Sequence, residues 1–166
     1  HPAWNTKNSI AWDSSIQGAK ELNDILLIDP DIYYFSSSTV ASFLDTSSGH
    51  HKPSEYIHTM SYPWSWLIGR SKVDMGNGRQ TDETWYRNDG TVNTISMKRP
   101  FTGKNGPEPV IELSKHGFIK PGIWNFIGEF EYDHKTFIGH FLSDENKIKE
   151  IMNIFEDHAR LLYKLP

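Results

Sequence analysis

Two short stretches of this sequence carry residues that could perform acid–base chemistry. The first is the turn Asn88-Asp89-Gly90, and the second is Asp133-His134, which follows a β-prone run. An acid and then a histidine, in that order, match two thirds of a hydrolytic triad with the chain order Ser…Asp…His. On the local pattern alone the plainer alternative also stands, because Asn-Asp-Gly turns are common and a single histidine is usually a surface residue.

The nucleophile of such a triad is missing from this sequence. A serine on a sharp strand-to-helix turn requires Gly-x-Ser-x-Gly, because the tight backbone leaves no room for larger side chains. The only start of that motif is Gly69-Arg70-Ser71, which fails at Val73, and there is no cysteine to replace the serine. This sequence therefore contains no nucleophile elbow, and the oxyanion hole, which needs the amide after that serine, is absent with it.

The elements that must position these residues alternate between helix and strand. One-sided apolar spacing predicts a helix over 14–27, and the β-prone run 32–36 is apolar enough for a strand of a parallel sheet. A long irregular connection is predicted over 37–70, a strand over 123–130, and a C-terminal helix capped by Ser143. This order is α/β. Two or three strands make an incomplete sheet, so further strands should come from another segment.

Composition narrows the classes of partner. The 166 residues suffice for one domain with a core. A net charge of −4 argues against nucleic acid as a partner, since binding it requires a basic excess. No apolar run reaches the roughly eighteen residues of a transmembrane helix, so no membrane span is expected. The absence of cysteine excludes disulfides and thiol catalysis.

The long connection carries two clusters that each allow two interpretations. The apolar cluster is Tyr62, Trp64, Trp66 and Leu67. It could line an acyl pocket, but packing of the connection onto the sheet is the more common outcome. The histidines His50, His51 and His58 could hold a metal, yet no carboxylate stands at ligand spacing, which favours a surface loop.

Several motifs, in the same order and at compatible spacing, resemble the C-terminal half of the staphylococcal and Bacillus-type lipases and their eukaryotic relatives, within the α/β-hydrolase superfamily. They are Trp12-Asp13-Ser14-Ser15-Ile16-Gln17-Gly18-Ala19-Lys20-Glu21-Leu22-Asn23, Tyr33-Tyr34-Phe35-Ser36 with Ser38-Thr39, Trp85-Tyr86-Arg87-Asn88-Asp89-Gly90-Thr91-Val92-Asn93-Thr94-Ile95-Ser96-Met97, Pro121-Gly122-Ile123-Trp124-Asn125 and Asp133-His134. The resemblance implies that residues 1–166 are the C-terminal portion of a single α/β-hydrolase domain, with few parallel strands flanked by helices. The N-terminal portion would supply the nucleophile, the oxyanion hole and the lid.

The resemblance also implies an activity. The intact protein would hydrolyse carboxylic esters of acylglycerols at a lipid–water interface, with Asp89 as the triad acid and His134 as the triad base. Its partners would be the ester substrate and the N-terminal segment of the same protein. The bacterial relatives suggest secretion to the extracellular space.

No cofactor is required for this chemistry, but the family binds metals. Asp13 falls where the family has a zinc-ligating aspartate, so the resemblance implies a structural zinc whose other ligands, His and Asp, come from the N-terminal portion. The alternative is that Asp13 caps a helix. For the family's calcium, Thr136 and Phe141 stand where carboxylates would be expected, so calcium is not expected here.

Two functions of other classes remain open from the sequence. A truncated, inactive lipase-like homologue could act as a binding or partner-docking domain, and the isolated chain, without a nucleophile, is expected to be inactive on esters. A carbohydrate-binding module using the six tryptophans would predict an all-β chain.

Overall fold

A computed structural model describes residues 6–76, 78–102 and 106–166. The helices are α1 (Ile10–Asp13), α2 (Ile16–Asn23), α3 (Tyr62–Ile68), α4 (Thr94–Lys98), α5 (Leu113–His116), α6 (His134–Phe137) and α7 (Glu145–Tyr163). The strands are β1 (Tyr34–Thr39), β2 (Ser42–Asp45), β3 (His50–Pro53), β4 (Asp74–Gly76), β5 (Arg79–Gln80), β6 (Phe101–Thr102), β7 (Gly106–Pro107), β8 (Val110–Glu112) and β9 (Trp124–Phe130). Short 3-10 helices span Thr59–Ser61 and Glu83–Trp85.

The centre of the fold is a small parallel sheet. Its strand order is β1-β9-β8, with Tyr34 of β1 and Val110 of β8 both in register with Trp124 of β9. Helix α4 packs against β1, and α5 packs against β9. The predicted α/β class, with few parallel strands flanked by helices, is therefore confirmed. An all-β carbohydrate-binding module is excluded by the same architecture.

The strands agree with the sequence prediction to different degrees. Strand β9 covers the predicted run 123–130 almost completely. Strand β1 begins and ends later than the predicted 32–36, because its pairing with β9 continues through Ser38 and Thr39. Strand β8 was not predicted at all. It contributes only three residues, too few for a periodic signal, and pairing with β9 defines it.

Two predicted helix boundaries were wrong, each for its own reason. Helix α2 ends at Asn23 instead of extending to 27, and Leu27 is 90% exposed, so the last apolar residues lack the packing that sustains a helix. Ser15 caps α2 by accepting a hydrogen bond from the Gly18 amide, so Asp13 is not its cap. Helix α7 is capped by Asp144 instead of Ser143, because the carboxylate accepts from two free backbone amides of the first turn.

The connection 37–70 is ordered, so the prediction of an irregular stretch was wrong. It contains the antiparallel hairpin of β2 and β3, a 3-10 helix and α3. The alternation that marks a half-buried strand is absent from the His50–Pro53 strand, and pairing with β2 supplies its structure. The excursion that leaves β1 after Thr39 returns to it at Asn88, whose carbonyl accepts from the Ala41 amide at 2.9 Å.

Within the described ranges, no helix combines the length and the apolar character needed to cross a bilayer.

Candidate catalytic dyad at the carboxyl edge of the sheet

The fold places Asp89 and His134 at the same edge of the parallel sheet. His134 begins α6, shortly after the carboxyl end of β9. Asp89 follows a 3-10 helix instead of a strand, but it lies beside Thr39, the last residue of β1. Because β1 and β9 are parallel neighbours, their carboxyl ends adjoin, and α/β sheets place their sites at that edge.

Asp89 is a completely buried carboxylate whose oxygens both face donors. One oxygen, Oδ1, accepts from the backbone amides of Thr91 at 2.9 Å and Val92 at 2.8 Å. The other, Oδ2, accepts from Thr39 Oγ1 at 2.7 Å and lies 3.0 Å from His134 Nδ1. Four donors offset the large cost of removing a carboxylate from water, and they fix both oxygens in place.

The turn around Asp89 is held by the buried side chain of Asn88. Its Nδ2 donates to the carbonyls of Ser65 at 3.2 Å and Tyr86 at 2.9 Å, and its Oδ1 accepts from the Gly90 amide at 2.9 Å. Gly90 has a φ of 92°, a conformation that disfavours residues with a Cβ. The turn is therefore rigid for reasons of both hydrogen bonding and backbone shape.

His134 is held from both sides of its turn. Its backbone amide donates to the Asp89 carbonyl at 3.0 Å. The buried Asp133 caps α6 by accepting from the amides of Lys135 and Thr136. Phe137 stacks on Phe130 of β9 with ring centroids 5.5 Å apart. The imidazole itself remains 37% exposed, so it can meet a reacting group.

The electrostatics of the pair favour a charged imidazole. The hydrogen bond to the Asp89 carboxylate raises the pKa of His134 above its ordinary value, although partial burial opposes the shift. The charge of Asp133 also raises that pKa, and Lys135 lowers it. When His134 is neutral and donates Nδ1–H to Asp89, its Nε2 is the nitrogen that can accept a proton. This arrangement can act as a general base.

Sequence reasoning missed two residues of this arrangement, Thr39 and Asn88. Thr39 falls in the connection predicted as irregular over 37–70, and nothing in the sequence shows that its hydroxyl reaches a carboxylate 50 positions away. Asn88 precedes the Asp-Gly pair, where asparagine is typical of turns. That pattern could have suggested a structural role for its side chain, but not its contact with Ser65.

The positions associated with metals give different outcomes. Asp13 ends α1 with its side chain exposed, and no group of three or more His, Cys, Asp or Glu within the described ranges could hold a metal ion. One exposed carboxylate can serve as a single ligand to zinc. The calcium positions do not fit, because Thr136 Oγ1 donates to Asp133 Oδ2 and the Phe141 side chain has no oxygen.

The histidines of the connection have separate partners. His50 stacks on Tyr86, His51 Nδ1 lies 3.1 Å from Ser42 Oγ, and His58 stacks on Phe141. They do not form a metal group.

The apolar cluster on α3 does not pack the connection onto the sheet, which corrects the preferred interpretation. Helix α3 buries Ser65 instead. Tyr62, Trp64, Trp66 and Leu67 are 44–62% exposed. Trp66 is covered on one face by the Arg70 guanidinium, 3.2 Å from the ring centroid.

Comparison with known sequences matches this chain to a lipase-like family and to staphylococcal lipases. The sequence model of the family described as "Lipase-like, C-terminal domain" matches residues 2–164. The chain is 25% identical over 164 residues to the lipase of Staphylococcus hyicus and 27% identical over 158 residues to lipase 1 of Staphylococcus aureus. These alignments cover 98% and 93% of this chain, but only 23% and 21% of the two relatives.

Comparison with solved structures shows that the same fold occurs in EstA and in a bacterial lipase. The chain superimposes on EstA from Clostridium botulinum with a TM-score of 0.73 and 31% identity, over 89% of this chain and 34% of EstA. It superimposes on lipase 1 from Pelosinus fermentans with a TM-score of 0.73 and 28% identity, over 100% of this chain and 42% of the other. The chain thus spans less than half the length of each of these proteins.

Proposed function

Since this chain belongs to the family of lipase-like C-terminal domains, we propose that it supplies the acid and the base of a Ser-Asp-His triad. The intact protein would hydrolyse carboxylic esters of acylglycerols. The observation that carries the proposal is the 3.0 Å contact between the buried Asp89 Oδ2 and His134 Nδ1 at the carboxyl edge of the sheet.

In this proposal the work of the chain is proton transfer at one atom. His134 Nε2 removes the proton from a serine hydroxyl carried by an N-terminal portion, and the serine oxygen attacks the ester carbonyl. The imidazolium then gives that proton to the departing alcohol, and an acyl-enzyme forms. In the second half, His134 takes a proton from water, the hydroxide releases the fatty acid, and the serine recovers its proton.

Asp89 makes His134 effective in two ways. It accepts the Nδ1 proton, so that Nε2 of the neutral ring is free to act as a base. It also places a negative charge beside the imidazolium that forms during each transfer. Because Asp89 is buried and already holds three other hydrogen bonds, it need not reorganise when the charge appears.

No cofactor takes part in these steps. We propose that Asp13 contributes one carboxylate to a structural zinc site, with the other ligands from the N-terminal portion. Zinc analysis of the intact protein by mass spectrometry tests this: Asp13→Asn should lower the bound zinc, and unchanged zinc would refute the assignment. We further propose a secreted protein that acts at a lipid–water interface.

The test is ester turnover by the intact protein, with tributyrin as substrate. We expect His134→Ala to abolish turnover. His116→Ala, which removes an exposed histidine on α5, should leave turnover unchanged. If the intact wild-type protein has no esterase activity, the alternative of an inactive lipase-like homologue that serves as a docking domain replaces this proposal.

The isolated chain of 166 residues is expected to be inactive on esters, because it contains no Gly-x-Ser-x-Gly sequence. Turnover by the purified chain that disappears in His134→Ala would contradict this expectation.

A further inference from the structure

The segment 57–61 contacts the turns that carry both members of the dyad. On one side it packs against Gly90: a Cβ placed on Gly90 would lie 2.7 Å from Ile57 Cδ1 and 2.9 Å from Ser61 Cβ. On the other side the His58 imidazole stacks on the Phe141 ring, with centroids 4.3 Å apart and planes 19° apart. A single segment therefore bridges the Asp89 turn and the end of the His134 turn.

Phe141 is held in a conformation that needs an external contact. Its φ is 57°, and it is the only residue other than glycine with a positive φ in the described ranges. The left-handed region brings the Cβ too close to the backbone, so a bulky side chain seldom adopts it without compensation. Phe141 is also 66% exposed, so burial does not compensate it. Its shortest ring contact is the stack on His58, whereas the neighbouring His140 ring lies edge-on with centroids 6.1 Å apart.

His58 is itself fixed in orientation. Its Nδ1 accepts from the Met60 amide at 3.3 Å, which makes it the cap of the 3-10 helix Thr59–Ser61. The cap sets the plane of the imidazole, and that plane is the surface on which Phe141 stacks. Lys135 makes a second contact between segment 57–61 and Phe141: its Nζ lies 4.0 Å from Met60 Sδ and 5.6 Å from the Phe141 ring centroid.

Phe141 is connected to His134 through a short, hydrogen-bonded turn. The amide of Gly139 donates to the Thr136 carbonyl at 3.0 Å, and the amide of His140 donates to the Lys135 carbonyl at 2.8 Å. A displacement of Phe141 would therefore be transmitted to α6, whose first residue is His134.

We infer that the His58–Phe141 stack is a positioning contact that holds the His134 turn against segment 57–61, and so keeps His134 Nδ1 within hydrogen-bond distance of Asp89. His58 and Phe141 are positioning residues and touch no reacting atom. The effect of the stack on turnover rests on the proposed function, but its effect on the dyad does not.

The two roles of His58 can be separated by substitution. His58→Asn keeps a side chain that can accept from the Met60 amide but removes the stacking ring. His58→Phe keeps an aromatic ring against Phe141 but removes the cap. Phe141→Ala removes the ring from the other side, and Phe141→Tyr is the conservative control. If Phe141→Ala does not fold, His58→Asn still tests the inference.

The measurement is the NMR titration of His134 in the intact protein labelled with ¹³C-histidine, with the signal assigned by its loss in His134→Ala. In His58→Asn and Phe141→Ala we expect the pKa of His134 to fall toward its ordinary value, because the Asp89 hydrogen bond is populated less. In His58→Phe and Phe141→Tyr it should stay raised. Tributyrin turnover in the two stack-free variants should fall about tenfold in kcat with little change in KM.

A wild-type His134 titration in both folded, stack-free variants would overturn the inference. So would a loss in His58→Phe equal to that in His58→Asn, since an aromatic ring retained against Phe141 would then not preserve the position of His134. If the wild-type protein lacks esterase activity but His134 responds as expected, the proposed function fails and the positioning contact stands. If esterase activity is present and the pKa of His134 does not change in the stack-free variants, the positioning contact fails and the proposed function stands.

Discussion

Replacing Asp89 by asparagine is the sharpest test of the dyad, because the structure determines which way the new amide must point. Asp89 Oδ1 accepts from two backbone amides, Thr91 at 2.9 Å and Val92 at 2.8 Å, which can only donate. The carbonyl oxygen of the introduced asparagine must therefore take this place. Its NH₂ group then takes the place of Oδ2, facing Thr39 Oγ1 and His134 Nδ1.

These two neighbours respond differently to the new donor. The Thr39 hydroxyl can rotate and accept, because a hydroxyl is both a donor and an acceptor. The His134 Nδ1 can accept only if its proton moves to Nε2. The ring is then locked in the tautomer whose Nε2 cannot serve as a base. In triads of this type, the corresponding substitution costs on the order of 10⁴ in kcat, which corresponds to about 5 kcal/mol of transition-state stabilisation.

The assay is tributyrin hydrolysis by the intact protein, together with the ¹⁵N shifts of His134, which report the tautomer. The matched control is Asp133→Asn. Asp133 is a neighbouring buried carboxylate, and an asparagine oxygen can still accept from the amides of Lys135 and Thr136. The control should keep most of the turnover. A folded Asp89→Asn protein that retains more than about a tenth of the wild-type kcat would refute the tautomer argument.

Three further outcomes are expected. Gly90→Ala should lower the free energy of unfolding by about 2–4 kcal/mol, because the new methyl group meets Ile57 and the alanine backbone must keep a φ of 92°. The control is Gly117→Ala, at a φ of 68° with open space around it, which should cost about 1 kcal/mol. Equal losses of the two variants in urea denaturation would contradict the steric argument. Asn88→Ala should lower the free energy of unfolding by about 2–4 kcal/mol in the same assay, because two backbone carbonyls and the Gly90 amide lose a buried partner. A loss below about 1 kcal/mol would show that water replaces the Asn88 side chain. The kcat/KM of the intact protein should rise with pH through a midpoint above about 6.5, because only neutral His134 is a base and Asp89 raises its pKa. A midpoint below that value would contradict the hydrogen bond to Asp89 as the cause of the raised pKa.

The same shift in pKa has an opposite consequence for stability. A histidine whose pKa is raised by folding stabilises the folded state fully below its unfolded pKa of about 6.5, and this contribution disappears as the pH rises through the folded value. Removing the imidazole in His134→Ala should therefore destabilise the protein more at about pH 5.5 than at about pH 9. The difference in urea denaturation midpoints between these two conditions provides the measurement.

Local sequence determined those parts of the fold whose signals are continuous along the chain. The β-prone run of β9 and the long periodic pattern of α7 are of this kind, because each signal extends over enough consecutive residues to be recognised locally. The motifs around Asp89 and His134 likewise identified the two residues that the structure brings to 3.0 Å.

Short elements could not be predicted in this way. Strand β8 depends on its pairing with β9, the strands of the β2–β3 hairpin depend on each other, and all three carry too few residues for a periodic signal. The face of α3 was also undetermined, since four large apolar residues on a short helix suggest burial, while the tertiary structure turns Ser65 inward.

Only the tertiary structure decided how the site is held. The Thr39 hydroxyl reaches Asp89 across 50 positions. His58, which lies in the excursion between β1 and Asn88, stacks on Phe141, which lies after β9 and α6. Such contacts leave no trace in local pattern, because a hydroxyl at the end of a strand or a histidine in a loop has the same sequence appearance whether or not a partner faces it. The sequence determined which residues could perform the chemistry, and the parallel pairing of β1 with β9 decided that two of them would meet.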